Sequence, residues 1–168
     1  MKRIVMRGIR RKEKEIKNSD EMISILMSAK YITIAMSIND EPYLVTLSHG
    51  FDRENNCIYF HCAQEGKKVD ILRKNNVVWG QAIEDHGYAD GSCDHLYATT
   101  QFRGRVVFIS KAEEKKHALS TMIHQLESNP DKVFEEQVTD ESMNRVNIGK
   151  IIIDYMSGKK AKEVIISL

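Results

Sequence analysis

The chain has 168 residues, 42% hydrophobic and 29% charged, with a net charge of +1 and an isoelectric point of about 7.7. That length is enough for one globular domain, residues 1–168, with a sizeable core. The near-neutral balance excludes a global field that would steer it to nucleic acid or an anionic membrane.

Basic residues cluster only near the two ends, at positions 2–17 and 159–162, where solvated tails are expected. The opening residues contain no apolar core of a secretory signal, and no uninterrupted apolar run approaches the ~20 residues that span a bilayer. Cys57, Cys62 and Cys93 are an odd number without CxxC spacing, which supports neither a disulfide framework nor a zinc knuckle. A reduced, cytoplasmic protein is expected.

In chain order, Asn18 or Ser19 caps a helix that opens with Asp20 and Glu21 and carries Met22, Ile23, Leu26 and Met27 as its apolar stripe. Residues 31–38 alternate and are rich in β-branched side chains, a strand closed by the turn 39–42. A second strand is expected over 43–51, followed by a turn at 52–56. The third strand ends in the stretch IYFHCAQEGKKVDILRK, residues 58–74. Asn75 and Asn76 close the helix of that stretch, and 77–83 is another strand. A polar loop at 84–94 precedes a long extended segment at 95–109. Ser110 with Glu113 at N3 has the form of a capping box. The helix it starts runs to about 127, with Ala118, Leu119, Met122, Ile123 and Leu126 on one face. Pro130 begins a short helical piece, 148–155 is a strand, and a GKKAKE turn leads to a last short strand at 164–168.

Strands in runs joined by short turns, with few helices and no GxGxxG turn, exclude a doubly wound sheet and predict an antiparallel sheet curled into a small barrel. The fold class is mainly β with peripheral helices around six antiparallel strands.

The stretch 58–74 carries the chemistry. Ile58, Tyr59 and Phe60 end a buried strand, a turn closes on Gly66, and Val69, Ile71 and Leu72 form the apolar face of the following helix. A helix N-terminus presents unpaired N–H groups. Lys67 and Lys68 stand in its first turn, where the dipole favours acidic residues. Cations where the field is already positive point to an anion, read here as the phosphate of a flavin nucleotide; a solvated helix face is the plainer alternative.

His61 and Cys62 are either flavin contacts or ordinary strand-end residues. His49 is either a structural histidine or a proton donor facing a substrate. Trp79, the single tryptophan, reads as core. Arg103 and Arg105 share one strand face towards solvent or a second subunit. Asp85, His86, Cys93, Asp94 and His95 are of metal- or haem-ligating types, but their spacing fits no metal motif, and no metal is expected.

The order EPYLVTLSHGF, IYFHCAQEGKKVDILRKN, YATTQFRGRVVFI and DYMSGKKAKE resembles the FMN-binding split-barrel superfamily, and within it the pyridoxamine 5'-phosphate oxidase-related proteins of the nitroimidazole-resistance group. The resemblance covers residues 10–163 and implies a six-stranded antiparallel split β-barrel that pairs as a homodimer with FMN at the subunit interface. It implies that Thr46, Leu47 and Ser48 run past the isoalloxazine edge through backbone contacts. His61, Cys62 and Ala63 border the ribityl chain, and Gly66, Lys67 and Lys68 face the phosphate. Thr99, Thr100 and Gln101 add polar contacts; His49, on its own chemistry and not by the resemblance, is the expected catalytic proton donor. The arginine- and tryptophan-bearing C-terminal segment of pyridoxamine 5'-phosphate oxidase itself has no counterpart in the final EVIISL, so vitamin B6 oxidation is rejected. The nitroimidazole-resistance relatives usually carry proline where this chain has Thr46 and often an aromatic where it has His49.

The implied activity is an FMN-dependent oxidoreductase passing electrons from a reduced nicotinamide or other donor to a nitroaromatic or quinone. The alternative is a non-catalytic flavin- or haem-binding carrier or sensor, or a barrel holding a deazaflavin.

Overall fold

The computed structural model describes residues 8–168, so positions 2–7 of the basic N-terminal cluster lie outside the described residues. Eight strands form among the described residues: β1 (Glu15–Ile16), β2 (Tyr31–Ile38), β3 (Glu41–Ser48), β4 (Gly50–Asp52), β5 (Cys57–Cys62), β6 (Val77–Ala89), β7 (Asp94–Phe108) and β8 (Asn147–Lys160). Five α-helices accompany them: α1 (Ser19–Ser28), α2 (Lys67–Lys74), α3 (Ala112–Leu126), α4 (Pro130–Gln137) and α5 (Asp140–Arg145). The sheet path runs β3-β2-β6-β7-β8-β5-β4, with β1 added beside β8, and every pairing is antiparallel. Six strands are six residues or longer, matching the expected six-stranded barrel; β1 and β4 are two- and three-residue additions.

Period-2 alternation decides which side chains fill the barrel. In β2, Ile32, Ile34 and Met36 are buried while Tyr31, Thr33 and Ala35 turn outward. Ile58 and Phe60 of β5, Phe102 and Val106 of β7, and Ile151 of β8 join them, and α1 adds Ile25 and Leu26. Two wholly buried phenyl rings lie over glycines of the paired strand: Phe102 opposite Gly80, and Phe60 opposite Gly149. A Cβ at either glycine would sit 2.3 Å from the ring. A second, smaller core of Cys57, Tyr59, Ala118, Met122 and Ile148 packs α3 against the outside of β5 and β8.

Asn18 caps α1 as expected, accepting from the Asp20 amide at 2.9 Å, and Asn75 stands at the end of α2. Other boundaries differ. The strand expected over 43–51 is broken at His49: β3 pairs with β2, whereas β4 pairs with β5 at the other end of the sheet path. The polar loop expected at 84–94 is mostly strand, because its residues complete the β6–β7 ladder up to Ala89 and Asp94. Ser110 caps nothing, since the N-cap of α3 is Lys111 with no side-chain bond; the capping box belongs instead to α5, between Thr139 and Ser142. The GKK of the expected final turn is the end of β8, and 164–168 forms no strand. Trp79 is half-buried on the outward face of β6, 5.8 Å from the Tyr155 ring, not in the core. The basic ends are solvated in part: among the described residues Arg10, Arg11, Lys12, Lys17 and Lys162 are exposed as expected, whereas Lys14 is buried and paired with Asp94 at 3.2 Å, and Lys160 pairs with Glu21 at 3.6 Å.

Candidate functional site

The start of α2 is an open, uncapped corner. Its first intrahelical bond runs from the Asp70 amide to the Gly66 carbonyl at 3.0 Å, so the amides of Lys67, Lys68 and Val69 lie ahead of the hydrogen-bonded ladder, and no side chain caps them. Gly66 has φ of 129°, a conformation other residues rarely adopt, and a Cβ there would meet nothing within 4 Å. The Lys67 ammonium lies 4.5 Å from the Tyr43 ring centroid and 3.8 Å from Glu41, which brings the corner beside the first residues of β3. The donor set of free amides, a glycine cradle and two ammonium groups suits a phosphate dianion.

This corner opens on the seam where the sheet path ends. β3 and β5 approach one another there, but they exchange no ladder bonds. An edge strand leaves alternate backbone N–H and C=O groups unpaired, and β3 is such an edge. Thr46 and Ser48 are exposed along it, while Leu47 turns into the interior core. His61 and Ala63 are exposed at the end of β5, and Ser48 and His61 line the same cavity. The structure therefore brings together Thr46, Ser48, His61, Ala63, Gly66, Lys67 and Lys68 along one seam.

Five expected residues are placed otherwise. Cys62 is buried with its side chain in the interior core, and burial raises its thiol pKa although Lys68 works in the opposite direction; only its backbone borders the seam. The Thr99 hydroxyl donates to the Ala82 carbonyl at 2.8 Å, and Thr100 donates to the Met22 carbonyl at 2.9 Å. Both threonines thus tie strands and α1 together rather than facing a ligand. Gln101 is exposed, but it sits in a register row running Thr46–Thr33–Gln81–Gln101 across the outer face. Three strand spacings, roughly 14 Å, separate it from β3. His49 is wholly buried: its Nε2 donates to the Leu26 carbonyl at 2.8 Å, and Nδ1 has no partner among the described residues. Burial lowers its pKa, partly opposed by the Leu26 contact, so the ring is neutral near pH 7. The proton-donor role expected of His49 is corrected accordingly. The ring anchors the crossover between β3 and β4, together with Gln125, whose amide accepts from Phe51 N–H at 2.8 Å and donates to the Leu26 carbonyl at 3.1 Å.

A cluster absent from the sequence reading lies under α3. The buried Asp52 carboxylate accepts from His117 Nε2 at 2.8 Å, from the Asn55 amide at 3.0 Å and from Asn55 Nδ2 at 2.8 Å. Burial alone would raise its pKa, but the bonds from His117 and Asn55 outweigh burial and hold it at about 2. The drop from 3.8 to about 2 corresponds to about 2 kcal/mol of native stability. With a depressed folded-state pKa, that contribution is present above 3.8 and disappears as pH falls towards 2. His49 adds an earlier loss, because the unfolded chain takes up a proton below about pH 6.5 that the buried ring resists. Urea midpoints measured from pH 7 to pH 2.5 are expected to fall in these two stages. Asp52→Asn is expected to lower the plateau and shrink the lower stage, to which the depressed carboxyls of Glu13, Asp85 and Asp94 also contribute; an undiminished lower stage in that variant sinks the assignment.

The remaining candidates carry no site. Arg103 pairs with Asp154 on the outer face. His95 bonds Asp85 at 3.1 Å across the β6–β7 hairpin. Among the described residues no group of three metal-ligating side chains forms, and no helix is long and apolar enough to cross a membrane.

Solved structures share this fold. A candidate 5-nitroimidazole antibiotic resistance protein from Bacteroides thetaiotaomicron superposes with a TM-score of 0.75 at 26% identity, covering 86% of this chain and 85% of that one. The flavocytochrome Anf3 from Azotobacter vinelandii gives 0.76 at 16% identity, over 92% and 72% of the two chains. The FAD and heme binding protein from Mycobacterium smegmatis gives 0.75 at 13%, over 92% and 76%. The last two likenesses show the fold alone. No curated protein is a significant match. The family model described as pyridoxamine 5'-phosphate oxidase matches residues 18–160, from the cap of α1 to the end of β8, and the chain belongs to that family.

Proposed function

We propose that the chain is an FMN-dependent oxidoreductase, working as a homodimer, that passes electrons from a reduced donor such as a nicotinamide to a small acceptor such as a nitroaromatic or quinone. One observation carries the reading: the uncapped, glycine-led start of α2, with Lys67 and Lys68, opens onto the free edge of β3. The free amides and both ammonium groups take the cofactor phosphate, and backbone groups from Thr46 to Ser48 align the ring system. Bound flavin supplies the redox chemistry, while the protein supplies orientation, access and polarity.

The neighbours named for flavocytochrome, FAD and haem binding support a flavin-related function, and the neighbour named for nitroimidazole resistance supports the acceptor class. Within one subunit Gln101 lies three strands from Thr46, so its contact with a flavin at the seam requires the second copy.

Protein purified without added ligand is expected to show the paired blue and near-ultraviolet bands of flavin, and heat release is expected to yield FMN by mass. A colourless protein that takes up no FMN overturns the proposal. A second reading, a flavin or haem carrier without its own substrate, is favoured by the two haem-associated neighbours. An intense Soret band, or stoichiometric flavin reduction with no turnover of any acceptor under anaerobic conditions, identifies it.

A further inference from the structure

A cavity of about 500 Å³ lies between the strand ends and the three helices that follow β7. That volume falls within the roughly 300–1,000 Å³ typical of small-molecule sites. Ser48 and His61 form its inner end. Its wall is α3, where Leu119, Met122, Ile123 and Leu126 recur at helical spacing, faced by Val133 and Val138. Met122 and Ala118 already satisfy the packing of α3 on the barrel, so the remaining stripe is wider than the core requires, and Leu126 stays 38% exposed at the mouth. Among the described residues no lysine or arginine lines the cavity, and Glu127 is its one carboxylate. The ammonium groups of the seam lie instead at the start of α2, beside Tyr43 and Phe60.

We infer that this cavity is the acceptor compartment, and that it selects flat, uncharged aromatic molecules against anionic ones. The inference rests on the flavin reading only in the role assigned to the occupant; occupancy itself depends on this chain's own residues. An apolar wall desolvates an aromatic ring favourably. A carboxylate or phosphate brought there finds no lysine or arginine among the described residues and meets Glu127, so its lost hydration is offset only by His61 and the polar groups of Ser48, Gln137 and Ser142. Cofactor phosphate and acceptor are thereby sorted into compartments of opposite character along one seam. The polar groups of Ser48 and His61 mark the end at which the acceptor meets the ring system.

The test compares 4-nitrobenzyl alcohol with 4-nitrobenzoate, which share a ring and differ in charge. Saturation-transfer NMR on the protein as purified, whatever cofactor it retains, is expected to show binding of the alcohol and weak or no binding of the benzoate. Ile123→Trp, which fills the cavity, and Leu126→Trp, which narrows its mouth at an exposed position, are each expected to weaken alcohol binding about tenfold or more. Flavin content and melting temperature of Leu126→Trp are expected to stay at the parental values. Glu127→Lys is expected to reverse the preference towards the benzoate. Equal alcohol signals from the parent and a folded Leu126→Trp protein, or a parental preference for the benzoate, overturn the inference. Failure to retain flavin alongside normal alcohol binding would count against the redox assignment and leave the compartment standing.

Discussion

Replacing Lys67 and Lys68 together with alanine is expected to release the flavin and leave the barrel folded. Each charge-assisted contact to a phosphate is worth about 1.5–3 kcal/mol, so each lysine lost lowers affinity by about tenfold to 150-fold. The native contacts of these side chains are weak by comparison. Lys67 meets Glu41 at 3.8 Å with both groups more than half exposed, a geometry that contributes little to stability. Lys68 stands 5.8 Å from the Phe60 ring, with the helix behind it held by Val69, Ile71 and Leu72. Titration of the flavin-free variant with FMN, read by quenching of flavin fluorescence, separates affinity from stability. Riboflavin, which lacks the phosphate, is expected to bind parent and variant alike. If FMN affinity is unchanged in the double variant, the phosphate lies elsewhere and the assignment of α2 falls.

Gly149→Ala is expected to cost more stability than any surface change, because the added methyl enters space already filled by Phe60. The ideal Cβ stands 2.3 Å from the ring, and the ring is wholly buried, so neither partner can retreat into solvent. Overpacking of this kind costs about 1–3 kcal/mol. Phe60→Ala removes the ring instead and leaves a void beside a bare glycine, at about 3–5 kcal/mol. The double variant replaces a clash and a void with a modest gap, so its loss is expected to fall short of the sum of the two single losses. Urea unfolding of the four proteins measures that coupling. Strict additivity would show that the phenyl ring and the glycine do not share one site.

Both expectations depend on features of different legibility. The start of α2 could be read directly: a glycine, two lysines and an apolar triplet at helical spacing are local signals, and the model places an uncapped helix N-terminus there. The capping role of Asn18 and the alternation in β2 are likewise local and stand as read. The break at His49 could not be read, because β-prone apolar residues flank it on both sides, from Tyr43 to Leu47 and at Phe51. Only the close packing of Gly50, where a Cβ would lie 2.7 Å from the Met122 backbone, shows why the chain must cross under α3 at that point. Thr99 and Thr100 were ligand groups only by the resemblance, and a hydroxyl carries no sign of its partner; the carbonyls of Ala82 and Met22 that accept from them are distant in sequence. The Asp52–His117 contact joins residues 65 apart, and no spacing rule reaches that far. The width of the α3 stripe was the one available hint of a cavity, and it reads equally well as a broad core face.

Composition, hydrophobic period and the basic turn after β5 determined by themselves that this protein is an antiparallel barrel with a basic, glycine-led helix start at one corner. Each of those features is set within a few residues, by side-chain alternation, glycine conformation and the helix dipole. Tertiary structure alone decided which polar residues face the seam, that His49 belongs to the interior, and that a neutral compartment lies beside the charged one. Those outcomes follow from strand register and from which distant carbonyl or helix covers each side chain, and a one-residue shift in pairing would reverse them.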